Sequence, residues 1–335
     1  MSNNSPELTY TDAVAKATAP VYDILKDQYA LTYWKTIAPY IYEINKLKQE
    51  KNAVILAHNY MTPDIFHGIA DIVGDSLALA RAAAKSDADI IVQCGVHFMA
   101  ETSKALCMDK KVIIPDMKAG CSLAEGITAK DVKLLKEKYP GVPIITYVNS
   151  TAEVKAVSDI CCTSGNVVKI VNAMESDTVM VIPDKYLANY ARQHTDKKVL
   201  TWEGSCMVHE RFTPEDIQKF RARYEGVQVI AHPECPKNVL DEADFTGSTQ
   251  QMIDYVENER PARVVLITEC SMSDNIAAAN PDMELVRPCQ MCPHMKRITL
   301  PKILEALQTE QPEVLLTPEI AEASRIPIQK MLDAS

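Results

Sequence analysis

Three stretches of this chain carry the same succession of apolar and polar positions: strand, polar loop, helix, strand, helix, strand, cysteine. A short apolar or β-branched run opens each stretch, at Ala53 to Ala57 (AVILA), Pro143 to Thr146 (PIIT) and Val227 to Ala231 (VQVIA). Each run meets polar side chains at its end and predicts a short buried strand. The second strands DIIVQ, DTVMVI and RVVLIT start at Asp89, Asp177 and Arg263, 88 and 86 residues apart, and the third strands KVIIP, KVLTW and MELVRP recur likewise. A period of this size marks a repeated supersecondary unit.

Continuous apolar strands alternating with helical segments such as Leu77 to Lys85 predict parallel sheets covered on both faces. The expected fold is α/β: three similar three-layer αβα units with short parallel sheets, arranged with pseudo-threefold symmetry around one centre. The expected division is an N-terminal extension with a helix around Ile41 to Lys51 (1–50), three units (51–125, 126–211 and 212–300) and a helical C-terminal segment (301–335). In that last segment Leu300, Ile303, Leu304 and Leu307 fall at helical spacing. Ligands of parallel sheets gather beyond the strands' carboxyl ends, so the polar loops of all three units are expected to face one another.

Charge and composition narrow the function. The chain has 335 residues, and 35 Lys and Arg against 45 Asp and Glu give a net charge of −10, which argues against a general nucleic-acid or anionic-membrane surface. No apolar run approaches the roughly 18 residues that would span a bilayer. The first 50 residues lack the basic start and apolar core of a signal peptide, so the cytoplasm is the expected compartment. Its ten cysteines are then expected as reduced thiols. Cys94, Cys107, Cys161 and Cys162 lie in or near apolar segments and read as core residues.

Three other cysteines stand out, because each follows the third strand of its unit: Cys121 in KAGCSLA, Cys206 in WEGSCMVH and Cys292 in QMCPHM, spaced by 85 and 86 residues. Thiols from equivalent loops of three repeats can meet at one metal centre. Soft thiolates suit zinc or an iron-sulfur cluster, and three ligands leave one corner open for substrate. GxGxxG, GxxxxGK[ST] and HExxH are all absent.

The loops after the first strands carry His58, Asn59 and Tyr60, then Tyr147 and Asn149, then His232 and Glu234. Imidazole, phenol and carboxylate together can move protons near neutral pH. Gly74-Asp75-Ser76, Ser164-Gly165-Asn166 and Gly247-Ser248-Thr249 read as helix N-caps, whose free amides bind carboxylate or phosphate in an acidic chain. Anionic substrates are expected. His209, three residues after Cys206, could ligate a metal but is expected to face substrate beside it.

The segments AHNY, DIVGDSLALA, AGCSLAEG, YVNSTAEVKA, CCTSGN, WEGSCMVHER, AHPEC, FTGST and CPHMKRITL, spread from Ala53 to the chain end, resemble the quinolinate synthases, iron-sulfur enzymes of de novo NAD biosynthesis. The resemblance implies a [4Fe-4S] cluster held by Cys121, Cys206 and Cys292. It also implies condensation of iminoaspartate with dihydroxyacetone phosphate, releasing phosphate and two waters to give quinolinate, with an aspartate-oxidising enzyme as supplier of the imine. By the family's pattern, Tyr60, Tyr147, His232 and Glu234 are the expected catalytic proton carriers. Ser76, Asn149, Ser164, His209, Ser248 and Thr249 are expected to hold carboxylates or phosphate, and His58 to serve either purpose.

The chain departs from the family where Met61 follows AHNY in place of the usual Gln and where Cys270 stands at a common Gly. The last motif keeps Cys289 and Cys292 but no third cysteine, which places the ligand at Cys292 and leaves Cys289 as a redox-sensitive spare thiol. Two other readings compete: a hydro-lyase using the same three-cysteine cluster on another hydroxy acid, and a non-catalytic metal-binding sensor with a closed site.

Overall fold

The computed structural model describes residues 8–288 and 290–335; Cys289 lies outside the described residues. Twelve strands among these form three four-stranded sheets, all parallel. The first holds β1 (Ala53–His58), β2 (Ile72–Gly74), β3 (Ile90–Cys94) and β4 (Lys111–Ile113), in the order β2-β1-β3-β4. The second holds β5 (Ile144–Tyr147), β6 (Ile160–Cys162), β7 (Thr178–Ile182) and β8 (Lys198–Thr201), and the third β9 (Gln228–Ala231), β10 (Phe245–Thr246), β11 (Arg263–Ile267) and β12 (Glu284–Val286). Both repeat the same order, β6-β5-β7-β8 and β10-β9-β11-β12. The three similar α/β units expected from the repeat are present, each flanked by helices.

Each unit has one strand more than the expected three. The additional strands, β2, β6 and β10, are edge strands of two or three residues. Runs that short carry no periodicity, and they exist because a longer neighbour pairs with them: Leu56, Ala57 and His58 of β1 align with Ile72, Val73 and Gly74.

Strand alternation shows how the units pack. In β5 and β7, Ile145, Val179 and Val181 join a core shared by all three units, while Ile144, Met180 and Ile182 face a smaller local cluster. In β9 and β11, Ile230, Val264 and Leu266 face the shared core, and Val229, Ala231, Val265 and Ile267 the other way. The first sheet is covered by chain from outside its own unit. A helix at Leu31–Glu50 packs on β1 and against the helix Leu300–Thr309, whose Leu300, Ile303, Leu304 and Leu307 are buried at the predicted spacing. The N-terminal helix starts well before the expected Ile41. Trp34, Ile37, Ile41 and Ile44 make one buried stripe, and its burial carries the helix through Pro39 despite the lost amide donor. No helix among the described residues is long and apolar enough to cross a membrane.

Candidate active site at the junction of three sheets

The carboxyl ends of β1, β5 and β9 open on one cavity of about 70 Å³. Its wall includes thirteen of the fourteen residues picked from the sequence: His58, Tyr60, Ser76, Cys121, Tyr147, Asn149, Ser164, Cys206, His209, His232, Glu234, Thr249 and Cys292. Ser248 stands behind this wall as a buried helix cap.

The three cysteines share one local geometry. Backbone amides two and three residues ahead point at each sulfur: Leu123 and Ala124 at Cys121, Val208 and His209 at Cys206, His294 and Met295 at Cys292. A tight turn of helix follows each, at Ser122–Glu125, His209–Arg211 and Met295–Arg297, and supplies those amides together with the residues Val208 and His294 that open the last two turns. Burial pushes the Cys121 thiol up to about 12 and raises the other two, so without a bound cation all three are held as thiols. Amide pairs aimed at sulfur, repeated three times in one cavity, fit a thiolate-held metal centre. Cys94, Cys107, Cys161 and Cys162 are buried away from this wall as expected.

Beside the cysteines lies a hydrogen-bonded acid–base group, with His209 Nδ1 3.2 Å from Cys206 Sγ. Tyr147 Oη donates to Glu234 Oε1 at 2.6 Å, and His209 Nδ1 lies 2.7 Å from Glu234 Oε2. Burial opposes ionisation of Glu234, but His209 and the Tyr147 hydroxyl, both bonded to it, outweigh burial and hold the carboxyl below its usual range. Tyr147 is raised by burial and by Glu234, and stays a phenol.

His58 closes β1 and His232 directly follows β9, and matching bonds hold them. The Tyr60 amide donates to His58 Nδ1 at 3.1 Å and the Glu234 amide to His232 Nδ1 at 3.3 Å. Burial lowers both rings, to about 4 and about 3, so both are neutral with the proton on Nε2. The His232 ring stacks on His209 with centroids 4.6 Å apart.

Two of the three expected helix caps form. Asp75 Oδ1 accepts from the Ala78 amide at 2.9 Å, and Ser248 and Gln251 make a reciprocal capping box. Asn166 departs from the expectation: its side chain turns back to accept from the Thr163 amide at 2.6 Å and leaves its helix uncapped. Sequence reasoning passed over Thr163, Glu269 and His294 in the wall and Thr268 behind it. Thr268 and Glu269 directly follow β11, so applying the repeat to the second strand of each unit would have found them.

Among the described residues no Lys or Arg lines the cavity, although Cys206, His209 and Glu234 place donor atoms within 4.8 Å of one another, as a metal site would. Three parallel α/β units whose strand ends share a cavity with three thiols and a buried acid–base group define an enzyme with a candidate metal centre. The chain belongs to the quinolinate synthetase A protein family, whose model matches residues 42–333. It is 57% identical over 328 residues to the quinolinate synthase of Sinorhizobium fredii, covering 98% of this chain and 91% of that one. It is 56% identical to the quinolinate synthase of Caulobacter vibrioides over 97% of this chain and 89% of that protein. The Xylella fastidiosa quinolinate synthase is 57% identical over 86% and 85% of the two chains.

Proposed function

We propose that this enzyme is a quinolinate synthase, a transferase that condenses iminoaspartate with dihydroxyacetone phosphate to quinolinate, releasing phosphate and two waters. The meeting of three matched cysteine turns and the Glu234 group in one cavity carries this reading. Family membership and the relatives' names support it.

Cys121, Cys206 and Cys292 would hold a [4Fe-4S] cluster. When bound, it would supply an iron without a protein ligand, a Lewis acid for a departing hydroxide. His209 is a poor fourth ligand, since Nδ1 is engaged with Glu234 and Nε2 lies 2.9 Å from Thr268 Oγ1. Ionised Glu234 can accept a proton, and Tyr147, bonded to it, can return one. Tyr60 and the neutral His232 serve the same transfers on other faces of the substrate.

With no cationic side chain in the wall, carboxylates and phosphate are held by the helix starts at Ser76 and Thr249, with capping Ser248 beside Thr249, and by Asn149, Ser164, His209 and His58. Iminoaspartate hydrolyses readily in water, so direct supply by an aspartate-oxidising enzyme in the cytoplasm belongs to this reading. So do the division of the chain at residues 50, 125, 211 and 300 and the pseudo-threefold arrangement of its units. A cavity that brings the acid–base group of Tyr147, His209 and Glu234 beside the cysteines favours catalysis over a sealed sensor.

The test is an anaerobic assay of cluster-loaded protein with both substrates. Quinolinate is the expected product, and its absence, with another hydroxy acid dehydrated instead, would favour the hydro-lyase.

A further inference from the structure

One backbone hydrogen bond occurs three times, once in each unit, and each time it ties a cysteine loop to the start of a helix. The amides of His97, Lys185 and Cys270 donate to the carbonyls of Ala119, Gly204 and Gln290, at 2.7, 2.9 and 3.1 Å. Each donor is the first residue of a helix, His97–Leu106, Lys185–Gln193 or Cys270–Ala279, and stands three residues past the end of β3, β7 or β11. Each acceptor stands two residues before Cys121, Cys206 or Cys292.

The loops themselves do not repeat. Cys121 comes eight residues after β4, Cys206 five after β8 and Cys292 six after β12, yet the tie falls at the same place in all three. The first amides of a helix have no acceptor inside it, so they are available to hold another segment. Three other helices do without that donor, since Pro63, Pro214 and Pro318 open them. In the second unit the approach is so close that a side chain on Gly204 would meet the Pro183 carbonyl oxygen at 2.5 Å.

We propose that the first amides of the helices at His97, Lys185 and Cys270 are the positioning device of the candidate metal centre. Each bond fixes a carbonyl two residues, at most about 7 Å of chain, from the sulfur. The amides two and three residues beyond each cysteine hold it from the other side. Loops of unequal length thereby present their sulfurs from equivalent points. The effect on metal rests on the three-cysteine reading, and the effect on the loops rests on geometry alone.

Lys185→Pro deletes the amide hydrogen and keeps the helix start. Asp184 already has the extended backbone that precedes proline (φ −88°, ψ 117°), and its Oδ1 still caps Tyr186 and Leu187. Lys185→Ala loses the same side chain but keeps the amide, and Leu31→Pro, at the first position of the helix Leu31–Glu50, controls for proline itself. In cluster-loaded protein exposed to air, iron release to a chelator is expected about 3- to 10-fold faster from Lys185→Pro than from either control, the size of one lost hydrogen bond. In metal-free protein, N-ethylmaleimide labelling of Cys206, read by peptide mass spectrometry, should accelerate by a similar factor, with Cys161 unchanged. If Lys185→Pro fails to fold, Gly204→Ala, which pushes the same loop off Pro183, is read in the same way. The proposal is overturned if the variant matches either control in iron release or in Cys206 labelling. Wild-type protein that binds no iron would instead remove the cluster reading, and labelling alone would then decide the role of the amide.

Discussion

Tyr147 closes β5 and donates its hydroxyl hydrogen at 2.6 Å to Glu234, which lies just past β9, so the second sheet clamps the carboxylate of the third. The remaining oxygen of that carboxylate faces His209 at 2.7 Å. With both oxygens occupied, the group is held in one plane, and a proton arriving on it has a phenol beside it.

Glu234→Gln is expected to reduce kcat about 10²- to 10⁴-fold, the range usual for loss of a general base or acid. Tyr147→Phe should cost less, about 10- to 100-fold, because the carboxylate survives without its partner. Anaerobic steady-state quinolinate formation measures both. Iron content equal to wild type in each variant would locate the loss in proton handling.

Serine at Cys121, Cys206 or Cys292 should abolish bound iron and sulfide, since a hydroxyl is a poor substitute for a soft thiolate. Cys161→Ser should leave them at the wild-type level, because Cys161 is buried in the core away from the cavity wall. Colorimetric iron and sulfide determination on protein kept under argon distinguishes the two cases.

Glu269 pins the turn that carries Cys292. Its Oε1 accepts from the Cys292 amide at 3.3 Å and from Lys296 Nζ at 2.8 Å, and Lys296 also donates to the Tyr60 carbonyl at 2.8 Å. Glu269→Ala leaves that ammonium largely buried without its carboxylate and frees the turn. The expected result is loss of iron several-fold faster than wild type on exposure to air, followed by the decay of visible absorbance.

His58 ties stability to pH. Its folded value of about 4 lies below the ordinary value of about 6.5, so between these the unfolded chain binds more protons. Stability is therefore complete above about pH 6.5 and falls as the pH drops toward 4. Going from pH 7 to pH 5, wild type should lose roughly 2 kcal/mol more than His58→Gln in urea unfolding. An identical loss in both proteins would show that the ring does not contribute.

The repeat was readable because β1 and β5 are apolar runs ending in His58 and Tyr147, β9 is one followed by His232, and three cysteines fall at a nearly constant period. What stayed hidden depended on distance in space. Nothing in the run Asp71-Ile72-Val73 marks a strand until β1 lies beside it. Thr268 looks like an ordinary strand-end residue until Tyr60, 208 positions away in sequence, arrives at its hydroxyl. Asn166 had the right chemistry for a cap, but the Thr163 amide claimed its side-chain oxygen.

Because Tyr60, His209 and Glu234 belong to three different units, no fragment of the polypeptide inherits a working portion of the cavity. A protease nick that lets one unit drift away strands single thiols, each unable to retain the proposed inorganic cubane alone. Under that proposal, iron retention would gauge whether all three modules have folded and docked.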